Sequence, residues 1–388
     1  MSEAPGSAYL HIPFCVRKCR YCDFPSQAGK EDRIGGYIDA MTVEIRHAGS
    51  VLARGSVLRP LETIYIGGGT PTLAGADRLV RLMDALRDTF RVAADAEATF
   101  EANPGTVSPH DFERLRAGGF NRVSIGLQAW RPYLLETLGR IHSPTDFIRA
   151  VQGARQAGFD NIGADIMLGL PAQTLDDVRE TVFRVLDAGV AHVSFYSLQI
   201  EEGTPFHAMY TAGTLRLPDE EAEREMYHET RRLLADQGLE PYEISSAARP
   251  GRACRQHLVY WSSHGYYGFG SASHSYVGGV RRENLRDLDA YLEAIAQRTP
   301  DHAFPAARDL ETIGPDEQMK EVMLLGFRMD CGIDRDMFFQ RFGVPMETRF
   351  GTELGELLAR GLIVSDDTGV RLTPFGRDIA NQVFMAFV

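Results

Sequence analysis

The chain has 388 residues, 44% of them hydrophobic, enough for one large cored domain and a smaller appendage. Its net charge of −12, from 41 basic and 53 acidic side chains, denies it the broad basic surface that non-specific nucleic-acid binding needs. No apolar run is long enough to span a bilayer, and the N-terminal MSEAPGSAYLHIPF lacks the charged leader and apolar stretch of an export signal, so a cytoplasmic protein is expected.

The first predicted strand, AYLHIPF (8–14), runs into Cys15, Cys19 and Cys22 with the spacing C-x3-C-x2-C. A helix over YIDAMTVEIRHAGSVL follows, then the strand TIYIGGG (63–69) and the helix ADRLVRLMDALRDTF. ATFEANP (98–104), RVSIGLQ (122–128), NIGADIMLG (161–169) and HVSFYSLQI (192–200) read as further strands, most of them as continuous apolar runs suited to a parallel sheet buried on both faces. SPHDFERLRAGG, with Ser108 as its cap, SPTDFIRAVQGARQAG and TLDDVRETVFRVLDAG read as the intervening helices. Strand and helix alternating six times predict an α/β fold, a partial (β/α)6 barrel of TIM type.

After residue 205 the pattern changes, through a charged helix DEEAEREMYHETRRLLADQG to the aromatic, glycine-rich LVYWSSHGYYGFGSASHSYVGG. The last 75 or so residues read as helices and a hairpin, a small winged-helix-like α+β unit reached through the linker QRTPDHAFPAARD (297–309). Three parts are expected: a barrel over 1–215, an extension covering the barrel mouth over 216–300, and the C-terminal unit over 310–388. The C-terminal unit carries Arg335, Arg341, Arg349 and Arg360, but also Asp334, Asp336, Glu347, Glu353 and Glu356. Such a mixture argues against a phosphate-facing recognition helix and for a lid or partner-docking module.

Barrel sites form at the C-terminal ends of strands. There the chain places the cysteine cluster, Gly67-Gly68-Gly69-Thr70, Glu101 with Asn103, Gln128, Asp165, and Gln199 with Glu201. Polar groups at the same end of six successive strands mark one site. Three close thiols admit incidental cysteines, a zinc site with His11 as fourth ligand, or a four-iron cluster with one iron left open. The cluster suits the glycines and carboxylates on the same rim, which provide for a ligand at an open iron.

The motif, with Tyr21 inside it, resembles that of radical S-adenosylmethionine enzymes. AYLHIPFCVRKCRYCDF, YIGGGTPT, FEANPGT, RVSIGLQ, LGRIHS, ADIMLGLPAQT and SLQIEEGTPF together resemble the oxygen-independent coproporphyrinogen III oxidase group and its HemW branch, almost end to end. The resemblance implies a [4Fe-4S] cluster on Cys15, Cys19 and Cys22 and S-adenosylmethionine held by Tyr9, Gly68, Gly69, Thr70, Glu101, Gln128, Arg140 and Asp165. It also implies reductive cleavage to a 5′-deoxyadenosyl radical, with an electron donor such as a flavodoxin or ferredoxin. No catalytic residue beyond the cluster is assigned.

Two departures narrow the resemblance. The oxidases proper have a further cysteine two positions after the third ligand, where this chain has Phe24, and a longer segment ahead of the cluster, so porphyrinogen decarboxylation is not expected. The HemW branch, whose members look like haem chaperones, carries H-N-x-x-Y-W; this chain has Gln256-His257-Leu258-Val259-Tyr260-Trp261. Glutamine is a poor ligand for haem iron, which leaves His257, His264, His274 and Cys254 as candidates. Cys254 and Cys331 are otherwise expected to be buried free thiols. The related class C radical methylases and cyclopropanases, which use two molecules of S-adenosylmethionine on a small unsaturated substrate, are the alternative.

Overall fold

The six strand segments form one sheet because each carries apolar side chains at every second position. The computed structural model describes residues 4–55 and 57–388. β1 (Ser7–Ile12), β2 (Leu61–Gly68), β3 (Val92–Ala102), β4 (Arg122–Gln128), β5 (Asn161–Leu168) and β6 (His192–Ser197) lie side by side in chain order, all parallel. Between them run α1 (Ile34–Leu52), α2 (Ala76–Phe90), α3 (Pro109–Ala117), α4 (Pro132–Leu138), α5 (Pro144–Gln156) and α6 (Leu175–Asp187). This is the expected partial (β/α)6 barrel. Ser108, Ser143 and Thr174 each close a capping box with the aspartate three residues on, contributing roughly 1 kcal/mol apiece and fixing where α3, α5 and α6 begin.

The strands are buried on both faces, yet they alternate. Leu10, Ile66, Phe100, Val123 and Ile162 stand in register on the outer face, fully or almost fully buried with side chains of the surrounding helices in one core. Each such side chain contributes about 1.5–3 kcal/mol by leaving water. The other row, Tyr9, Tyr65, Thr99, Arg122 and Asn161, is polar or aromatic and lines the lumen. The continuous apolar runs read from the sequence are therefore alternating strands whose inner row is hidden rather than wet.

The sheet is wider than six strands. β7 (Glu240–Glu243) and β8 (Ser246–Ala248) add an antiparallel edge beyond β6, and β9 (Tyr267–Phe269) pairs parallel with β1, giving nine strands. These pieces of three or four residues, set among Gly, Pro and Ser, carry too little periodicity to be read as strands. The other helices of this region are α7 (Pro205–Thr211), α8 (Glu220–Asp236), α9 (Arg255–Trp261) and α10 (Leu288–Ala296).

The C-terminal unit has its own core, built on Met323, Phe327, Phe338, Phe350, Leu357 and Val383. Helices Pro315–Gly326, Arg335–Phe342 and Met346–Ala359 pack there with a three-stranded sheet of Ile333–Asp334, Gly369–Leu372 and Ile363–Ser365. Its arginines are engaged: Arg335 with Glu347, Arg349 with Asp316, Arg360 with Gln382, and Arg341 with the carbonyls of Ser262 and Ser263. The stretch read as a linker runs into strand Ala307–Thr312, a sheet edge paired with Val280–Asn284 and exposed at every residue after Ala307. Cys331 also corrects an expectation: it is exposed, on the tight turn closed by Gly332 N–H donating to Met329 O, whereas Cys254 is buried as expected. Among the described residues no helix is long and apolar enough to cross a membrane.

Candidate functional site

The loop after β1 is held to the rim of the barrel by its backbone. Gly69 N–H donates to Ile12 O (2.8 Å), Thr70 N–H to Phe14 O (2.7 Å) and Gln27 N–H to Pro13 O (2.6 Å). His11 Nε2 donates to Pro25 O (2.8 Å), so its Nδ1 accepts from Tyr9 Oη at 3.0 Å. On the far side Arg20 N–H donates to Leu138 O, at the end of α4. Cys15, Cys19 and Cys22 lie half-buried on this loop with free thiols.

The rim side chains close a ring around two of these sulfurs. Thr70 Oγ1 donates to Cys15 Sγ (3.7 Å) and accepts from Asn103 Nδ2 (2.8 Å). Asn103 Oδ1 accepts from Arg140 Nη2 (2.7 Å), and Arg140 Nη1 reaches Cys19 Sγ at 3.6 Å. Arg140 is fixed further by Gly126 O (2.6 Å). A hydroxyl and a guanidinium thus point at two of the three sulfurs. Burial pushes the Cys22 thiol up to about 11. Among the described residues no three thiol, imidazole or carboxylate groups converge as a single ion requires. A cluster holding each sulfur through a different iron makes no such demand, so the residues fit the cluster better than zinc.

The glycines of β2 are there for space. A Cβ on Gly69 would sit 2.6 Å from Phe14 O and 2.9 Å from Cys15 Sγ, and one on Gly68 would sit 2.7 Å from the His11 ring. Gly68 also has φ +119°, which side-chain-bearing residues rarely adopt. Beside them lies Glu101, which accepts from Gly68 N–H (3.1 Å) and Tyr65 Oη (2.8 Å). Burial pushes its carboxyl up to about 7, with Asp165 adding to the effect, while the two hydrogen bonds oppose it. Gln128 takes a left-handed φ of 69° at the end of β4, and its Oε1 accepts from Tyr196 Oη at 3.0 Å. Asp165 accepts from Ser124 Oγ at 3.0 Å.

The residues expected to hold the cluster and S-adenosylmethionine thus lie on the rim loop, at the strand ends beside it or facing the lumen. Asn103, the link between Thr70 and Arg140, was visible only as a polar strand end; Tyr65, Ser124 and Tyr196 were not singled out. The inward alternation of β2, β4 and β6 was the signal for them. A small pocket of about 40 Å³ opens here, lined among others by Cys19, Thr70, Asn103 and Arg140.

At the opposite end α9 closes the barrel. Arg255 N–H donates to Glu97 Oε1 (2.9 Å), and Thr63 Oγ1 bonds Ser7 Oγ (2.8 Å) and donates to Gln256 Oε1 (2.6 Å). Gln256 is thereby buried and engaged, and is not available as an iron ligand. His257 faces the lumen instead, its ring 6.0 Å from that of Tyr65 and 6.4 Å from that of His192, with burial pushing its imidazole down. His264 is exposed, His274 sits 3.7 Å from Glu283 away from the lumen, and Cys254 is buried near Arg122.

Comparison with known proteins agrees with this geometry. The family model for the radical SAM superfamily matches residues 9–185, and that for the HemN C-terminal domain matches 313–379. The heme chaperone HemW of Bacillus subtilis is 36% identical over 98% of this chain and 99% of its own length. That of Escherichia coli K12 is 36% identical over 99% and 98%. A mitochondrial radical S-adenosyl methionine domain-containing protein 1 of Mus musculus is 31% identical over 99% and 87%. The solved structure of coproporphyrinogen III oxidase (HemN) from Escherichia coli superimposes with a TM-score of 0.84 at 24% identity, covering 99% of this chain and 90% of that one, which bears on the fold alone. In this superfamily a [4Fe-4S] cluster and S-adenosylmethionine are the implied cofactors. The chain belongs to the radical SAM superfamily, in its HemN/HemW-like group.

Proposed function

We propose that Cys15, Cys19 and Cys22 hold the cluster, that S-adenosylmethionine binds on the rim beside it and is cleaved reductively, and that the protein binds and hands on haem, as the name of its relatives describes. The observation that carries the reading is the ring from Cys15 through Thr70, Asn103 and Arg140 to Cys19. It ties Cys15 and Cys19 to the ends of β2, β3 and the segment after α4. When bound, the cluster supplies one electron to the sulfonium, which yields methionine and a 5′-deoxyadenosyl radical.

The chain's own residues do the rest. Arg140 and Thr70 reach the sulfurs of Cys19 and Cys15 and fix the loop. Gly68 and Gly69 let the backbone close on a ligand with no side chain between. Glu101, held near neutrality by burial, ionises when a cationic amino group arrives beside it, so it favours a zwitterionic amino acid over a neutral one. Tyr9, Gln128 and Asp165 present hydroxyl, amide and carboxylate groups for the remaining polar atoms. Tyr9 and Tyr65, stacked with centroids 6.2 Å apart, wall the lumen below.

Gln256, buried against Thr63, favours one second reading, alkylation of a small unsaturated substrate with a second S-adenosylmethionine. One experiment separates the two. Haem is titrated into the anaerobically reconstituted protein and the Soret band is followed for wild type, Gln256→His and His257→Ala. Stoichiometric binding by wild type, lost in His257→Ala, supports the haem reading. No specific binding, with dithionite-driven release of 5′-deoxyadenosine intact, moves the assignment to the alkylating class.

A further inference from the structure

We propose that the closed end of the barrel holds a small inorganic anion, chloride or one of like size, on the guanidinium of Arg122. The inference stands apart from the cluster assignment and uses no residue of the cysteine loop. Three observations meet at this point.

The first is an unanswered charge. Arg122 is 0% exposed, and neither its Nε nor either Nη has a hydrogen-bond partner among the described residues. A guanidinium carries five N–H donors and stays charged, so leaving it buried and unpaired is strongly destabilising. Glu97 attracts it from a distance but forms no ion pair with it among the described residues, and accepts instead from Arg255 N–H (2.9 Å). Cys254, also near, is no counter-ion, because burial pushes its thiol up to about 12.

The second is convergence. Ser124, Gly163 and His192 are paired across β4, β5 and β6, so all three face inward with Arg122, two residues before Ser124. Gly163, in the middle, has no side chain. A Cβ there would meet Ser124 Oγ at 3.2 Å, Arg122 Nη2 at 3.4 Å and His192 Nδ1 at 3.5 Å. Three polar atoms therefore surround the place that a side chain would take. Two of them, Nη2 and Nδ1, are buried without a partner.

The third is the sign of what fits. Tyr242 Oη accepts from Cys254 N–H and gives its own proton to His192 Nε2 (2.9 Å), which leaves Nδ1 as the N–H. Burial, with Arg122 adding to it, pushes that imidazole down, so it is a neutral donor. A cation is repelled here, whereas an anion meets a full positive charge and aimed N–H groups. Arg122, Ser124 and His192 are at most 3% exposed, so the occupant is small and enclosed. Thr99 Oγ1 and Asn161 Oδ1, in register with Arg122 on either side and likewise unpartnered, bind the water that such an ion retains.

The test uses the whole protein and bromide or chloride as the probe. Thermal unfolding midpoints are compared in sodium chloride, sodium bromide and sodium gluconate at constant ionic strength, and crystals grown in bromide are measured at the bromine absorption edge. A tenfold rise in halide should raise the wild-type midpoint by about 2 °C, and an anomalous peak should lie against Arg122 and His192. Arg122→Met should lose both the halide dependence and the peak. Gly163→Ala, whose Cβ crowds the same place, should lose most of the halide dependence, and it keeps the test alive if Arg122→Met fails to fold. A wild-type midpoint indifferent to halide, with no peak at Arg122, overturns the proposal and assigns the guanidinium to buried water. Equal shifts in wild type and both variants also overturn it, since they report a general salt effect. So does a peak without a halide-dependent midpoint, which shows occupancy at crystal concentration only.

Discussion

The two ends of one barrel are built from the same inward row of the same strands, and they do opposite things. At the rim, Glu101 is held by Gly68 N–H and Tyr65, Gln128 by Tyr196, Arg140 by Asn103 and Gly126 O, and Asp165 by Ser124. At the floor, Thr63 bonds Ser7 and Gln256, Glu97 accepts from the first turn of α9, and Arg122 is wholly buried with none of its guanidinium nitrogens hydrogen-bonded among the described residues. The difference teaches that polarity alone does not mark the rim site here. What marks it is polarity gathered around the cysteine loop, next to glycines that clear space.

Breaking the rim outright gives the largest effect. Cys19→Ala should abolish cluster retention, read as iron and sulfide content, and with it reductive cleavage. An active Cys19→Ala protein with its cluster intact would sink the assignment.

The rim end of β9 tests the wall between the two ends. Glu44 is buried, accepting from Gly270 N–H (2.8 Å), Asn284 Nδ2 (2.7 Å) and Tyr291 Oη (2.7 Å), and burial pushes its carboxyl up to about 7. Folded and protonated is the favoured state, so Glu44 contributes stability that is complete below the unfolded value near 4.5 and is lost as pH rises through about 7. Urea unfolding should show the wild type losing about 3 kcal/mol relative to Glu44→Gln between pH 5 and pH 8. Parallel profiles for the two proteins would contradict it.

Gly69→Ala comes next. Its Cβ would press on Phe14 O and Cys15 Sγ, so the loop must shift, at a cost of about 1–3 kcal/mol and with faster loss of the cluster on dilution. Asn103→Ala opens the ring while sparing the thiols. The cluster should load normally, with S-adenosylmethionine bound about tenfold more weakly, as calorimetry would show. The smallest change belongs to the floor: Thr63→Val should lower stability by about 1–2 kcal/mol through the lost bonds to Ser7 and Gln256 and leave cofactor affinity untouched. If Thr63→Val weakened cofactor binding as much as Asn103→Ala, the division between rim and floor would be wrong.

The amino-acid sequence by itself determined the six strands and most helix starts, because short apolar runs and Ser/Thr caps act over a few residues. It also determined the cysteine motif and the polar ends of the strands, which are local in the same sense. The tertiary structure alone decided what is distant in the chain. It wove β7, β8 and β9, short pieces whose propensity decides nothing, onto the two edges of the sheet. It sealed Gln256 against Thr63 and turned His257 into the lumen, though the two are neighbours, because successive helical residues face about 100° apart. It closed Cys15, Thr70, Asn103, Arg140 and Cys19 into one ring across more than 120 residues of chain, since only the parallel register of the strands brings those ends together.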